Sequence, residues 1–134
     1  MRKKILVLPW LLYSGLIFTV SSLQLKGMPN ITILGWDKVI HMTEYFIYSI
    51  LTGIALLAFD KKRYYFNLLL MIFIITILFG ASDELHQYFV PGRSCSIYDF
   101  IADAIGGILG LILFQKLKIV NKLQHVNTRK TDSK

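Results

Sequence analysis

The ionisable residues of this chain are few, and many of them fall at helical spacing. Asp37 and His41 are four apart, His41 and Glu44 three apart, and Glu44 and Tyr48 four apart. On a helix such residues form one polar stripe. Asp99 and Asp103 repeat the four-residue spacing, Asp83, Glu84, His86 and Gln87 sit almost side by side, and Arg93 follows the turn-forming pair Pro91-Gly92. Carboxylates beside an imidazole are the equipment of proton transfer, and basic side chains beside them can hold a phosphate or carboxylate. In an enzyme built from this set, Glu84 or Glu44 is the candidate general base. His41 is its acid–base partner, and Arg93 with Lys38 holds an anion. His41 and Glu44 with Asp83, Glu84 or Asp99 could also ligate a divalent ion. His-x-x-Glu is a common spacing, however, and no metal or cofactor is assigned on it. The chain offers no nucleophile elbow, no Ser-His-Asp order and no phosphate loop.

The elements that must position these groups are apolar. The chain has 134 residues, 54% of them hydrophobic, and a mean hydropathy of +0.55. A soluble domain averages about 45–50% apolar residues, so the arrangement matters more than the total. The apolar residues come in long blocks with the charges between them, and a soluble core of this size could not hide them all. A membrane-spanning helix needs about 20 largely apolar residues. Four segments qualify, over about residues 5–23, 37–59, 64–82 and 97–114. The expected fold is therefore all-α: an integral membrane four-helix bundle occupying residues 1–117, followed by a basic tail over 118–134 that lies on anionic headgroups. Arg2, Lys3 and Lys4 before the first apolar run resemble a signal-peptide start. The run is long and Ser21-Ser22-Leu23-Gln24 is a poor cleavage site, so a retained helix is expected.

Orientation follows from the basic residues, which concentrate in cytoplasmic loops. Arg2, Lys3 and Lys4 precede the first helix, and Lys61, Lys62 and Arg63 separate the second from the third. Lys116, Lys118, Lys122, Arg129, Lys130 and Lys134 follow the fourth. The other side holds only Lys26, Lys38 and Arg93. Both termini are thus expected in the cytoplasm and the loops near 24–36 and 83–96 outside a cell membrane. This placement also explains the net charge of +7 without a nucleic-acid partner, since no basic face or motif accompanies it.

Most acidic residues show the reverse distribution. Asp37, Glu44, Asp83, Glu84, Asp99 and Asp103 lie toward the outer side, with His41 and His86, while Asp60 and Asp132 lie inside. A rise of about 1.5 Å per residue puts Glu44 roughly 10 Å below the helix start, and Asp103 at a similar depth. An ionisable group costs about 2.5–3.5 kcal/mol at the centre of a spanning helix and less toward its edge. Such groups must face one another or a wet cavity, and Arg93 is the expected counterion. Blander roles are expected elsewhere. Asp37 caps a helix start, and His86 is a wet residue at a helix end. Tyr13, Tyr45 and Tyr88 sit at the membrane interface. Ala102, Gly106 and Gly110 form a small-residue row for helix contact. Cys95, the single cysteine, is a small packing residue.

Between about Trp36 and Gly110 the motifs resemble those of the VanZ-like membrane proteins. Asp37-Lys38-Val39-Ile40-His41 with Tyr45-Phe46 resembles the first motif of that family. Asp83-Glu84-Leu85-His86-Gln87, Pro91-Gly92-Arg93-Ser94, Asp99 and Gly106-Gly107 resemble the second. The family commonly has Asn where this chain has Asp103. The resemblance implies a small multi-span membrane protein of the bacterial cell envelope. It also implies an association with teicoplanin resistance that does not remake the peptidoglycan terminus. No catalytic residue is carried over; Asp37, Lys38, His41, Asp83, Glu84, Gln87, Arg93 and Asp99 are carried over as motif positions only, with Asp37, Lys38, Gln87 and Arg93 the candidates for binding a ligand.

Three functions fit these features. An enzyme would modify a lipid or lipid-linked wall component. A binding module would present the outer polar site to a glycopeptide, a lipid headgroup or a partner protein without turnover. A proton-coupled transporter would use the buried acids as a relay, but four short helices with no inverted repeat leave little room for two gates, unless a homodimer supplies the missing wall.

Overall fold

The structure is a computed structural model that describes residues 5–23, 36–59 and 65–131. The basic residues Arg2, Lys3, Lys4, Lys26, Lys61, Lys62, Arg63 and Lys134, together with the 24–35 connection, Asp60 and Asp132, lie outside the described residues. The described residues form four helices and no strand: α1 (Leu8–Ser22), α2 (Trp36–Phe59), α3 (Tyr65–Phe89) and α4 (Ile97–Thr131). Three segments are long and apolar enough to cross a membrane, Trp36–Ala58, Asn67–Phe89 and Ile97–Leu117. The chain is a multi-span membrane protein.

The helix boundaries depart from the apolar blocks in instructive ways. Pro9 falls in the first turn of α1, where its missing N–H costs nothing, and the helix covers 15 residues. That is about 22 Å of rise, less than the roughly 30 Å hydrocarbon core, so α1 is shorter than the expected 5–23 span. In contrast, α3 does not stop at Ser82 but continues through Asp83, Glu84, His86 and Gln87 to Phe89. The extension is tolerated because its polar side chains find partners on neighbouring turns and helices, as set out below. Similarly, α4 runs unbroken past Leu117 to Thr131, so the backbone of the expected tail continues the helix.

Consecutive helices run antiparallel: Ser22 at the end of α1 meets His86 at the end of α3, and His41 near the start of α2 meets Asp103 near the start of α4. The α2–α4 interface is the most extensive, α3 packs on both, and α1 packs on α2 and α3 but not on α4. The glycines of α4 allow the tight α2–α4 seam. A Cβ added to Gly106 would lie 2.0 Å from the Met42 carbonyl oxygen, and one added to Gly110 would lie 2.3 Å from that of Phe46. Backbone touches backbone there, and only glycine fits. Two apolar clusters fill the rest of the interior. Ile17, Tyr45 and Tyr48 form one, flanked by Trp10, Tyr13, Ile75 and Phe79; Leu68, Ile72 and Phe114 form the other. Tyr48 stacks on Phe79 with ring centroids 4.3 Å apart, and the Trp10 indole N–H donates to Thr52 Oγ1 at 3.0 Å, pinning α1 to α2. Leu11, Leu12, Leu16, Leu70, Leu78 and Ile105 point outward, as expected of a lipid-facing surface.

Tyr45 is therefore not an interface aromatic: it is 0% exposed, because the helical face that carries His41 and Tyr48 also carries it inward. Tyr88, 68% exposed, lies on the surface.

The glycine seam gives a direct test. Gly106→Ala forces a shift of backbone against backbone and should destabilise the protein by about 1–3 kcal/mol, the range for overpacking. Gly15→Ala meets nothing within 4 Å and should be neutral or stabilising by up to about 1 kcal/mol. Thermal unfolding followed by circular dichroism in detergent checks the order; equal melting of the two variants would contradict the seam.

Candidate functional site

The C-terminal ends of α1 and α3 and the N-terminal ends of α2 and α4 share one end of the bundle. Nearly every candidate residue gathers there. α2 contributes Asp37, Lys38, His41 and Glu44; α3 contributes Asp83, Glu84, His86 and Gln87; α4 contributes Asp99 and Asp103. Between α3 and α4, the loop turns at Gly92, whose φ of 83° lies in the left-handed region that glycine adopts freely.

The centre of this cluster is a histidine–carboxylate pair across the α2–α4 seam. His41 Nδ1 lies 2.9 Å from Asp103 Oδ1, and Asp103 is 1% exposed. Gly80 of α3 makes room on the third side: a Cβ there would stand 3.3 Å from the Tyr45 ring and 3.5 Å from Asp103 Oδ2. One turn closer to the bundle end, Lys38 Nζ bridges Asp37 and Asp99, again joining α2 to α4. The small-residue row thus brings two acid–base pairs into register, because Asp99 and Asp103 sit on the face of α4 that carries Ala102, Gly106 and Gly110.

The α3 acids are held differently. Gln87 Nε2 donates to Asp83 Oδ2 at 3.1 Å, four residues along the same helix. The Ser96 backbone N–H donates to Glu84 Oε2 at 2.8 Å, tying the loop to α3. Asp83 is 1% and Glu84 4% exposed. Both retain a second carboxylate oxygen that is buried without a partner, as does Asp103. His86 lies in the last turn of α3: Ser22 Oγ and His86 Nε2 share a hydrogen bond at 2.8 Å, and its ring lies 5.1 Å from that of Phe18. It fastens the end of α1 to α3.

Arg93 does not form the expected pair with a carboxylate. Its backbone N–H donates to the Val90 carbonyl at 3.1 Å, closing the turn. Its guanidinium reaches a cavity but makes no ion pair among the described residues, and its Nε is buried without a partner. Glu84 has already accepted the Ser96 N–H, and Asp99 is held by Lys38, so Lys38 acts as the counterion instead. The cavity measures about 190 Å³ and is lined by Ser21, Asp37, Ile40, His41, Glu44 and Arg93, with Val20 and Leu23 completing its wall. Glu44 faces it and, like Arg93, carries no side-chain hydrogen bond or ion pair among the described residues.

The structure selects one set among the divalent-ion ligands expected from spacing. His41, Glu84 and Asp99, from three different helices, bring one ligand atom each within 4.8 Å of one another. Glu44, the spacing partner of His41, is not in that group. Tyr45 was missed as an interior polar residue; its hydroxyl is buried without a partner, and its place four residues after His41 and three before Tyr48 puts it on the inward stripe. Gly80 gave no signal at all.

Removing one member of a buried ion pair typically costs about 3–5 kcal/mol. Asp103→Ala should therefore unfold at markedly lower temperature or denaturant. Asp103→Asn keeps an acceptor for His41 and should lose less. Denaturation in detergent ranks the two; an Asp103→Ala protein as stable as wild type would refute a structural role for the pair.

No curated protein and no solved structure matches the chain significantly. The sequence profile of the VanZ/LLP1 family matches residues 4–120, a range that contains all four apolar segments and every residue of the cluster. With its glycine seam, its buried acids and its motifs thus accounted for in one continuous match, the chain belongs to the VanZ/LLP1 family.

Proposed function

We propose that the protein is a cell-envelope binding module whose cavity takes the polar end of a lipid, a lipid-linked wall component or a glycopeptide at the outer leaflet. On this reading it contributes to tolerance of glycopeptides such as teicoplanin. The observation that carries the reading is the pair of uncommitted opposite charges, Glu44 and Arg93, facing one cavity. Charged groups near the end of a membrane bundle that face one cavity without a hydrogen bond or ion pair between them are placed to meet a ligand. Arg93 offers a fork for phosphate or carboxylate, and Glu44 an acceptor for an ammonium or hydroxyl. Val20, Leu23 and Ile40 supply an apolar wall for the first carbons of an acyl or prenyl chain. The volume, about 190 Å³, lies below the roughly 300–1,000 Å³ of drug-sized pockets, which suits a headgroup rather than a whole antibiotic. An enzyme that modifies such a lipid would use the same groups, with His41 and Glu44 moving the proton. The binding reading is preferred because Ser21, the one hydroxyl in the cavity wall, has no base hydrogen-bonded to it among the described residues.

The orientation belongs to the same proposal. The basic residues favour cytoplasmic termini, which puts the acidic end of the bundle outside. Cys95, the single cysteine, is exposed in the loop at that end, so a membrane-impermeant maleimide should label it in intact cells. Labelling only after permeabilisation would invert the topology and remove outer-leaflet ligands from consideration.

Function is tested by teicoplanin susceptibility in a host lacking the protein, with wild type, Glu44→Gln and Arg93→Ala at matched membrane abundance. Loss of one charged hydrogen bond costs about 1.5–3 kcal/mol, roughly a tenfold or larger loss of affinity. Wild type should protect and both variants should fall toward the empty host. Protection unchanged in both variants would reject the cavity as the working part.

A further inference from the structure

We propose that His41, Glu84 and Asp99 form a binding site for one divalent transition cation of the Zn²⁺ or Mn²⁺ class. The three ligand atoms come from α2, α3 and α4 and lie within 4.8 Å of one another, the spacing of donors arranged around a common centre. Two further observations point the same way. Glu84 is 4% exposed, and while its Oε2 accepts the Ser96 N–H, its Oε1 is buried with no partner. A carboxylate oxygen removed from water with nothing to bond carries an uncompensated cost of about 1–3 kcal/mol or more, which a cation removes. His41 has its Nδ1 committed to Asp103, so the nitrogen left to meet a ligand is Nε2. A histidine whose second nitrogen donates to a buried carboxylate is the usual support of a metal-bound imidazole, because the carboxylate fixes the tautomer and orients the ring.

The charge balance favours the same occupant. Asp83, Glu84, Asp99 and Asp103 converge at this end of the bundle, and the basic groups paired with them are Lys38 and His41. One imidazole with two carboxylates suits Zn²⁺ or Mn²⁺, whereas Ca²⁺ takes six to eight oxygens and Mg²⁺ keeps most of its waters. Lys38 bonds Asp99 Oδ1, which leaves the other oxygen for the ion. The site shares only His41 with the cavity described above. Neither Glu44 nor Arg93 belongs to the cation site, so metal titration of the full chain tests it apart from the cavity charges.

The experiment uses the full chain in detergent, stripped with a chelator and titrated calorimetrically with Mn²⁺ and with Zn²⁺. One ion per chain is expected. Glu84→Gln and Asp99→Asn should each weaken binding by at least about tenfold, and Asp103→Asn, which touches only the histidine, by about 10–100-fold. Mn²⁺ bound to wild type should show nitrogen hyperfine coupling in pulsed electron paramagnetic resonance, and His41→Gln should abolish it. Absence of saturable binding of either ion, affinity unchanged in Glu84→Gln, or a Mn²⁺ spectrum without nitrogen coupling would each overturn the assignment. Helicity by circular dichroism guards against unfolded variants. Should Glu84→Gln fail to fold, the half-buried Asp99→Asn and the wild-type nitrogen signal decide.

Discussion

Everything at the polar end of this bundle depends on how closely α2 and α4 approach. The carbonyl oxygens of Met42 and Phe46 occupy the space where Gly106 and Gly110 would carry a Cβ. With the backbones in contact, His41 reaches Asp103 and Lys38 reaches Asp99. Had the helices stood apart by even one methyl group, those side chains would span a wider gap in a medium that offers no water. The cost of buried charge then falls on whichever group is left unpaired. Close packing and polar pairing are in this sense one constraint, since the glycines supply the distance and the ion pairs exploit it.

The same constraint explains why the polar groups divide into two kinds. Some are saturated and hold the fold: Lys38 with Asp37 and Asp99, Gln87 with Asp83, Ser22 with His86, Trp10 with Thr52. Others keep an open valence in the interior: the second oxygens of Asp83, Glu84 and Asp103, the Tyr45 hydroxyl and Arg93 Nε. A bundle this small has little stability to spend on groups without partners. All the ionisable ones gather at one end, while Ser49 Oγ and Thr76 Oγ1 are buried without a partner deeper along α2 and α3, and Leu68, Ile72 and Phe114 pack together farther along the bundle.

The described residues also show a division of labour among the helices. α2 and α4 form the pair on which the acid–base contacts are built. α3 brings its acids in from the side, extended past the apolar run because Gln87 and Ser96 satisfy them locally. α1 is the short, peripheral member, held by Trp10 and by Ser22, and its end forms one wall of the cavity.

Much of this was legible in the amino-acid sequence. Hydropathy gave four helices because a bilayer accepts little else. The four-residue spacing of Asp37, His41 and of Asp99, Asp103 put those groups on shared faces because the helical repeat is fixed. The small-residue row at Ala102, Gly106 and Gly110 marked the contact side of α4. What the sequence did not contain was the pairing between faces. Spacing placed Glu44 beside His41, and both line the cavity, yet the crossing of the helices brought only His41 to Asp103, Glu84 and Asp99. Arg93 read as the counterion by charge, but Lys38 took that role because the loop geometry had already spent Glu84 on Ser96. Tyr45, an interface residue by type, went to the core. Along one helix, periodicity is set by local backbone geometry and can be read from residue order. Which faces meet, and at what depth, is set by the crossing of separate helices, and that only the tertiary structure decides.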